Sequence, residues 1–295
     1  MTATAVVTGG GSRIITRVLR DGALHRPDKV AILFEDRGYS YSELWSRGRR
    51  AARVLREAGV GEGDAVLVLQ ENTIAFIEAW LGAALIGAVQ VPVNTEYRGE
   101  ILRHQVKDSG ARVMVVEAKF VERLEAMGAD RGSLECLLVV EGSPSTAFHS
   151  TAWETAMVAA TELDEGELWE AQEHEIIAIM YTSGTTGPSK GVRVAQAHAY
   201  MYASLAGQLL ELEPADVYYA PLPLFHIAGQ WALVYACLQV GATAVVRRRF
   251  SATEFWSVVR DTGATASFLL GAMANFLARQ PARPDDGDNP LERVM

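Results

Sequence analysis

Tyr181-Thr182-Ser183-Gly184-Thr185-Thr186-Gly187-Pro188-Ser189-Lys190-Gly191 holds three glycines, five hydroxyl residues besides Tyr181, and one lysine. It follows an apolar run, residues 176–180, that reads as a strand. Glycines let a backbone turn tightly and bring its N–H groups against an anion with no Cβ in the way. Thr and Ser hydroxyls donate to phosphate oxygens, and Lys190 adds a mobile positive charge with three donors. Residue types, order and position after a strand together predict a cradle for phosphate. It is not a Walker A loop, which needs Gly-Lys-Ser/Thr in succession, because Pro188 and Ser189 separate Gly187 from Lys190.

On either side of this loop, short β-branched runs alternate with longer helical stretches. Strands are expected at 30–34, 65–69, 89–93, 112–116 and 136–140 before it, and at 192–194, 217–220, 243–246 and 265–268 after it. Helices are expected at 41–58, 73–86, 98–108, 120–127, 196–210, 227–240, 253–261 and 273–279. Ser40 and Glu43 have the spacing of a capping box that opens the first of these helices. Its Arg47, Arg49, Arg50, Arg53 and Arg56 read as a solvated face. Strands that are apolar throughout and alternate with helices indicate an α/β protein with mainly parallel sheets flanked by helices. Residues 141–173 change texture, first Gly, Ser, Pro and Thr and then acidic residues, and read as a surface connection. The expected organisation is a flexible tail over 1–15, then a first α/β subdomain over 16–173 that includes this connection. A second α/β subdomain over 174–295 begins with the phosphate loop and stops one step into a new apolar element.

Composition narrows the function classes. With 49% hydrophobic residues over 295, a disordered chain is excluded and a large core is affordable. Against 36 acidic residues stand 27 basic ones, and the net charge of −9 gives no overall attraction to nucleic acid or anionic membranes. A polyphosphate ligand must therefore be held by local chemistry. The two cysteines, Cys136 and Cys237, exclude a disulfide scaffold and read as buried thiols in a reducing compartment. Residues 1–11 lack a basic and apolar leader. The uncharged run 79–95 is broken by Gly82, Gly87, Gln90, Pro92 and Asn94, and is shorter than the roughly 20 residues of a spanning helix. The expectation is a cytoplasmic protein with no membrane span. His25, His104, His149, His174 and His198 show no ligand spacing, so no metal site is assigned. Gly9-Gly10-Gly11 looks like the turn of a short-chain dehydrogenase, but Arg13 and Ile15 stand where that pattern needs glycine.

The loop at 181–191 resembles the phosphate-loop signature of the adenylate-forming (AMP-binding) superfamily, which includes acyl- and aryl-CoA ligases, firefly luciferase and peptide-synthetase adenylation domains. The usual form ends Thr-Gly-x-Pro-Lys-Gly; here Pro188 comes one position early and Ser189 stands where proline is usual, with the glycines and Lys190 in register. Pro27-Asp28-Lys29-Val30-Ala31, Tyr39-Ser40-Tyr41-Ser42-Glu43-Leu44, Asn72, residues 80–94 and Ala220-Pro221-Leu222-Pro223-Leu224-Phe225-His226-Ile227-Ala228-Gly229 are similar to further segments of that family. Within it the likeness is greatest to acyl-CoA ligases.

The resemblance implies the large N-terminal domain of the luciferase-like fold, present in part, and a two-step reaction. A carboxylate attacks the α-phosphorus of ATP to give an acyl-adenylate and pyrophosphate, and coenzyme A then displaces AMP. ATP, Mg2+ and coenzyme A are the implied cofactors and cosubstrates, with a carboxylic acid as the other substrate. Thr182, Ser183, Gly184, Thr185, Thr186, Gly187 and Lys190 would hold the nucleotide phosphates, Lys190 being the catalytic cation. His226, Gly229 and Gln230 would border the acyl substrate, with His226 orienting the carboxylate and not acting as a base. Trp231 reads equally as pocket or core. The family's later motifs, Tyr-Gly-x-Thr-Glu, Thr-Gly-Asp and a C-terminal lysine, are not found in this sequence. The resemblance places them beyond Met295, so an N-terminal portion of a longer enzyme is expected. An ATP-binding but catalytically incomplete module, or an adenylating enzyme with another acceptor, are the alternatives.

Overall fold

The computed structural model describes residues 12–182 and 188–295. Most of the expected tail lies outside these residues, but its last residues, 12–15, are described and docked. Ile14 and Ile15 are buried, and the Ile15 N–H donates to the Gln196 side-chain oxygen at 3.4 Å. Two neighbouring apolar side chains at this point give the chain a reason to dock.

The elements in order are α1 (Ile15–His25), β1 (Val30–Phe34), β2 (Arg37–Ser40), α2 (Tyr41–Glu57), β3 (Ala65–Leu69), α3 (Ile74–Leu85), β4 (Val89–Pro92), α4 (Gly99–Ser109), β5 (Val113–Glu117), α5 (Ala118–Glu125) and β6 (Cys136–Val140). Then follow β7 (His149–Ala152), α6 (Trp153–Ala159), β8 (Ile176–Thr182), β9 (Lys190–Ala195), α7 (Gln196–Leu209), β10 (Val217–Tyr219), α8 (Ala236–Val240), β11 (Thr243–Val246), α9 (Phe255–Thr262), β12 (Ala266–Ser267), α10 (Gly271–Ala278) and β13 (Arg293–Val294). The first sheet has the order β7-β6-β5-β3-β4-β8-β9 and is parallel except for β9. The second has the order β13-β12-β10-β11-β1-β2 and is parallel except for β2.

These sheets bury one large core between them. Ile32 and Ala244 of the second sheet and Val66 and Val68 of the first share it with α1, α2, α3, α7 and α8. Helices α4 and α5 cover the outer face of the first sheet, and α9 covers that of the second. The continuous apolar run of β3 follows, because helices cover both of its faces. Ser40 caps α2 by accepting the Glu43 N–H, and Thr73 caps α3 by accepting the Phe76 N–H. Helix α3 is buried along almost its whole length, as expected of a helix apolar all round.

The α2–α3 contact depends on Gly82, where a Cβ would lie 2.8 Å from the backbone of Ala51 and Ala52. Gly82→Ala would gain about 1 kcal/mol of helix propensity. It would lose about 1–3 kcal/mol by overpacking against backbone that cannot rotate away. We expect a net fall in the denaturant midpoint; a rise would show that α2 slides to make room.

Two expectations are corrected here, and a third is met with an unexpected winding. Residues 141–173 are more than a surface connection: they hold β7 and α6, and Trp153, Met157 and Leu163 are buried. The arginines of α2 are not a solvated face, since that segment lies over them. Arg49 and Arg50 pair with Glu162, Arg53 and Arg56 with Glu167, and Arg47 with the buried Glu78 of α3, which also accepts the Trp153 indole N–H at 2.9 Å. The helical stretch expected at 227–240 is wound as a π-helix over Ala228–Tyr235 before it tightens into α8.

The boundary expected at 173/174 does not separate the sheets. Strands β8 and β9 join the first sheet beside β4, while β1 and β2 join the second beside β11. Both cysteines are buried and free, and burial pushes the Cys237 thiol well up. Among the described residues, no helix is long and apolar enough to cross a membrane.

Candidate active site

Strands β8 and β9 form the stems of the loop expected to hold phosphate, with Tyr181 opposite Gly191 and Thr182 opposite Lys190. Both Thr182 and Lys190 are exposed at the open end of this pair. The expected ligands Ser183, Gly184, Thr185, Thr186 and Gly187 lie outside the described residues.

Both stems are tied to α4. The His104 Nε2 lies 2.8 Å from the Ser189 carbonyl, which only accepts, so this nitrogen carries a proton and donates it. The His104 ring also meets Tyr181 edge to face, with centroids 6.5 Å apart. The Tyr181 hydroxyl donates to the Asp108 carboxylate at 2.5 Å, and burial together with this carboxylate raises the phenol's pKa. His104 escaped the sequence reading because its partner is a main-chain carbonyl, which leaves no residue-type signature. The i, i+4 spacing of His104 and Asp108 was the available signal.

The second group of expected residues follows β10. Asn72, buried between β3 and α3, holds this loop by three hydrogen bonds. Its Nδ2 donates to the Leu222 and Arg247 carbonyls, each at 2.9 Å, and its Oδ1 accepts the Leu224 N–H at 2.7 Å. The family likeness picked out Asn72, but its role as a clamp between two loops emerges only from the fold. His226, two residues past this clamp, keeps part of its ring exposed. The protein packed around the remainder pushes its pKa below the ordinary imidazole value. Its Nδ1 accepts the Ala228 N–H at 3.3 Å, which leaves the proton of the neutral ring on Nε2.

Gly229 sits where the π-helix presses on the preceding loop: a Cβ there would lie 2.3 Å from the Pro223 carbonyl oxygen. Gln230 is fully buried, and its amide meets that of Gln90 at 2.5 Å. With its amide oriented to suit its neighbours, the oxygen accepts the Trp80 indole N–H at 3.1 Å and the nitrogen donates to the Leu224 carbonyl at 3.2 Å. The structure thus brings Gln230 to protein partners and ties the π-helix to β4, whose Gln90 pairs with Ala178 of β8. Trp231 is buried and packs edge to face on Tyr202. A π-helix is rare and frequently marks a functional site. Among the described residues no group of three or more His, Cys, Asp or Glu is placed to hold a metal ion.

The geometry therefore joins an antiparallel pair ending in Thr182 and Lys190 to a loop that carries a neutral imidazole, with Asn72 and Gln90 in the shared framework. Known proteins resemble this chain in sequence and in fold. A medium/long-chain-fatty-acid–CoA ligase of Mycobacterium tuberculosis is 30% identical over 274 residues, which is 92% of this chain and 44% of that protein. 4-Coumarate–CoA ligase 3 of Oryza sativa subsp. japonica is 34% identical over 249 residues, which is 82% of this chain and 43% of that protein. The chain thus spans less than half the length of these two relatives. The solved N-terminal domain of FACL13 from Mycobacterium tuberculosis has a TM-score of 0.81 at 26% identity, covering 92% of this chain and 66% of that one. The pattern of the AMP-binding enzyme family runs over residues 19–294, nearly end to end, and the chain belongs to that family.

Proposed function

We propose that this chain supplies the phosphate-holding part, and one wall of the acyl-holding part, of an AMP-forming acyl-CoA ligase. The observation that carries the reading is the loop 181–191, set on the β8–β9 pair at the edge of a mainly parallel sheet in a chain whose relatives are CoA ligases. In the first half-reaction a carboxylate oxygen bonds to the α-phosphorus of ATP as the bond to pyrophosphate breaks. Lys190, the Thr182 hydroxyl and the loop N–H groups stabilise the charge that accumulates on the leaving pyrophosphate. The Nε2–H of neutral His226 orients the carboxylate without removing a proton. In the second, the thiol sulfur of coenzyme A gives up its proton to solvent and bonds to the acyl carbon as the acyl–oxygen bond to AMP breaks. Among the described residues no group of three or more His, Cys, Asp or Glu stands ready for a divalent ion. The acceptor is coenzyme A by likeness to the relatives, and fatty and aryl acids are the substrate classes to try first. A second reading is nucleotide binding without turnover, which the same Gly-, Ser- and Thr-rich loop with Lys190 would serve.

Carboxylate-dependent ATP–pyrophosphate exchange, run beside ATP titration on the folded chain, separates the readings. Exchange with one acid of a fatty, aryl and short-chain panel is the result expected of the ligase and identifies its substrate class. Saturable ATP binding with no exchange favours the second reading. A folded chain with neither result overturns both.

A further inference from the structure

We propose that His104 is a positioning residue for the phosphate loop, acting through the Ser189 carbonyl. This rests on reading 181–191 as a phosphate-holding stretch. One helix face grips both sides of that stretch: His104 holds Ser189 near its end, and Asp108, one turn on, holds Tyr181 at its start. The His104 and Tyr181 rings pack on each other, so the two grips form one unit.

The helix that carries them is itself fixed. Leu102, Gln105 and Val106 of α4 are buried, and the Gln105 amide donates to the Pro92 carbonyl at 3.0 Å, at the end of the strand beside β8. Position is thereby passed from the sheet to the helix and from the helix to the loop.

The physical need is clear from composition. A stretch rich in Gly, Ser and Thr has many backbone states, and donors for a polyphosphate work only when they are already aimed. A trans peptide is planar, so its C=O and N–H point in opposite directions. Holding the Ser189 carbonyl toward α4 therefore fixes the direction of the Lys190 N–H and the point from which the Lys190 side chain departs. A neutral imidazole with its proton on Nε2, or an imidazolium, serves equally; a side chain without an N–H at this height does not.

The test compares His104→Ala with His104→Gln, which retains an N–H donor of similar reach, by titration with ATP and with inorganic tripolyphosphate. Loss of one hydrogen bond that aims the donors should weaken both ligands about tenfold in the alanine variant. The glutamine variant should recover most of that loss. Unchanged affinities in the alanine variant, or an equal loss in both variants, would overturn the proposal. If the alanine variant does not fold, Tyr181→Phe, which removes only the hydroxyl held by Asp108, should weaken both ligands severalfold, and unchanged binding there counts against it. Should the folded, unaltered chain bind neither ATP nor tripolyphosphate, the phosphate-loop reading fails with it, an outcome distinct from failure of the variants alone.

Discussion

Lys190→Ala should lower carboxylate-dependent pyrophosphate exchange by roughly 100- to 1,000-fold, the usual cost of removing one preorganised group that meets developing charge. ATP should also bind more weakly. The fold should hardly notice: Lys190 is exposed at the first position of β9, and surface changes of this kind move stability within about 0.5 kcal/mol. That contrast gives the experiment its force, because lost activity in a protein of unchanged unfolding midpoint cannot be assigned to misfolding. Exchange within threefold of the unaltered chain would show that the cation is not at the leaving group. Lys190→Arg keeps the charge but spreads it over a planar fork, so only partial recovery is expected.

Asn72→Ala should have the largest effect on stability. It strands the Leu222 and Arg247 carbonyls and the Leu224 N–H together, and these groups lie where the loop after β10 meets the end of β11. A buried polar group left without a partner costs about 1–3 kcal/mol. Because water reaches some of the vacated space, the total should be on the order of 3 kcal/mol, read from chemical unfolding. Asn72→Asp keeps the acceptor for Leu224 but aims a carboxylate at two carbonyls, so it should be no better than alanine. A loss below about 1 kcal/mol in the alanine variant would mean that the loop finds other partners. Since the clamp lies two residues before His226, the alanine variant should also weaken selection among acids in the exchange assay.

Much of this molecule was legible in its residues because hydrophobic period is a strong signal over long elements. The capped helix at 41–58 and the apolar strand at 65–69 were read to within a residue. Legibility failed where elements are short or where a partner is distant. Strand β7 has four residues and α6 has seven, too few for a period to stand out from noise. The arginines of α2 looked solvated because their acidic partners, Glu162 and Glu167, lie more than a hundred residues further along the chain. Only in hindsight does the acidic texture of that stretch match an arginine-rich helix face. At the candidate site, Lys190, Thr182 and His226 were marked by residue types that advertise chemistry. His104, Gln90 and the clamping role of Asn72 were not, since each acts through main-chain atoms or another amide. The π-helix was unreadable for a similar reason: its eight residues have the apolar composition of any buried helix.

The pairing of β1 with β11 has a consequence in time. Ile32 and Ala244 are register partners, and the Thr243 hydroxyl donates to the Val30 carbonyl across a separation of 213 residues. A ribosome adding about 5–20 residues per second needs on the order of 10–40 s to deliver the second strand after the first. Throughout that interval the β1–β2 hairpin waits with an apolar edge exposed, while the first sheet can already assemble from β3 to β8. Closing so long a loop late is slow, and a hairpin kept waiting is an open template for other chains. The second sheet should therefore be the last part to form, and yield on synthesis should depend on how well β1 is shielded until β11 arrives.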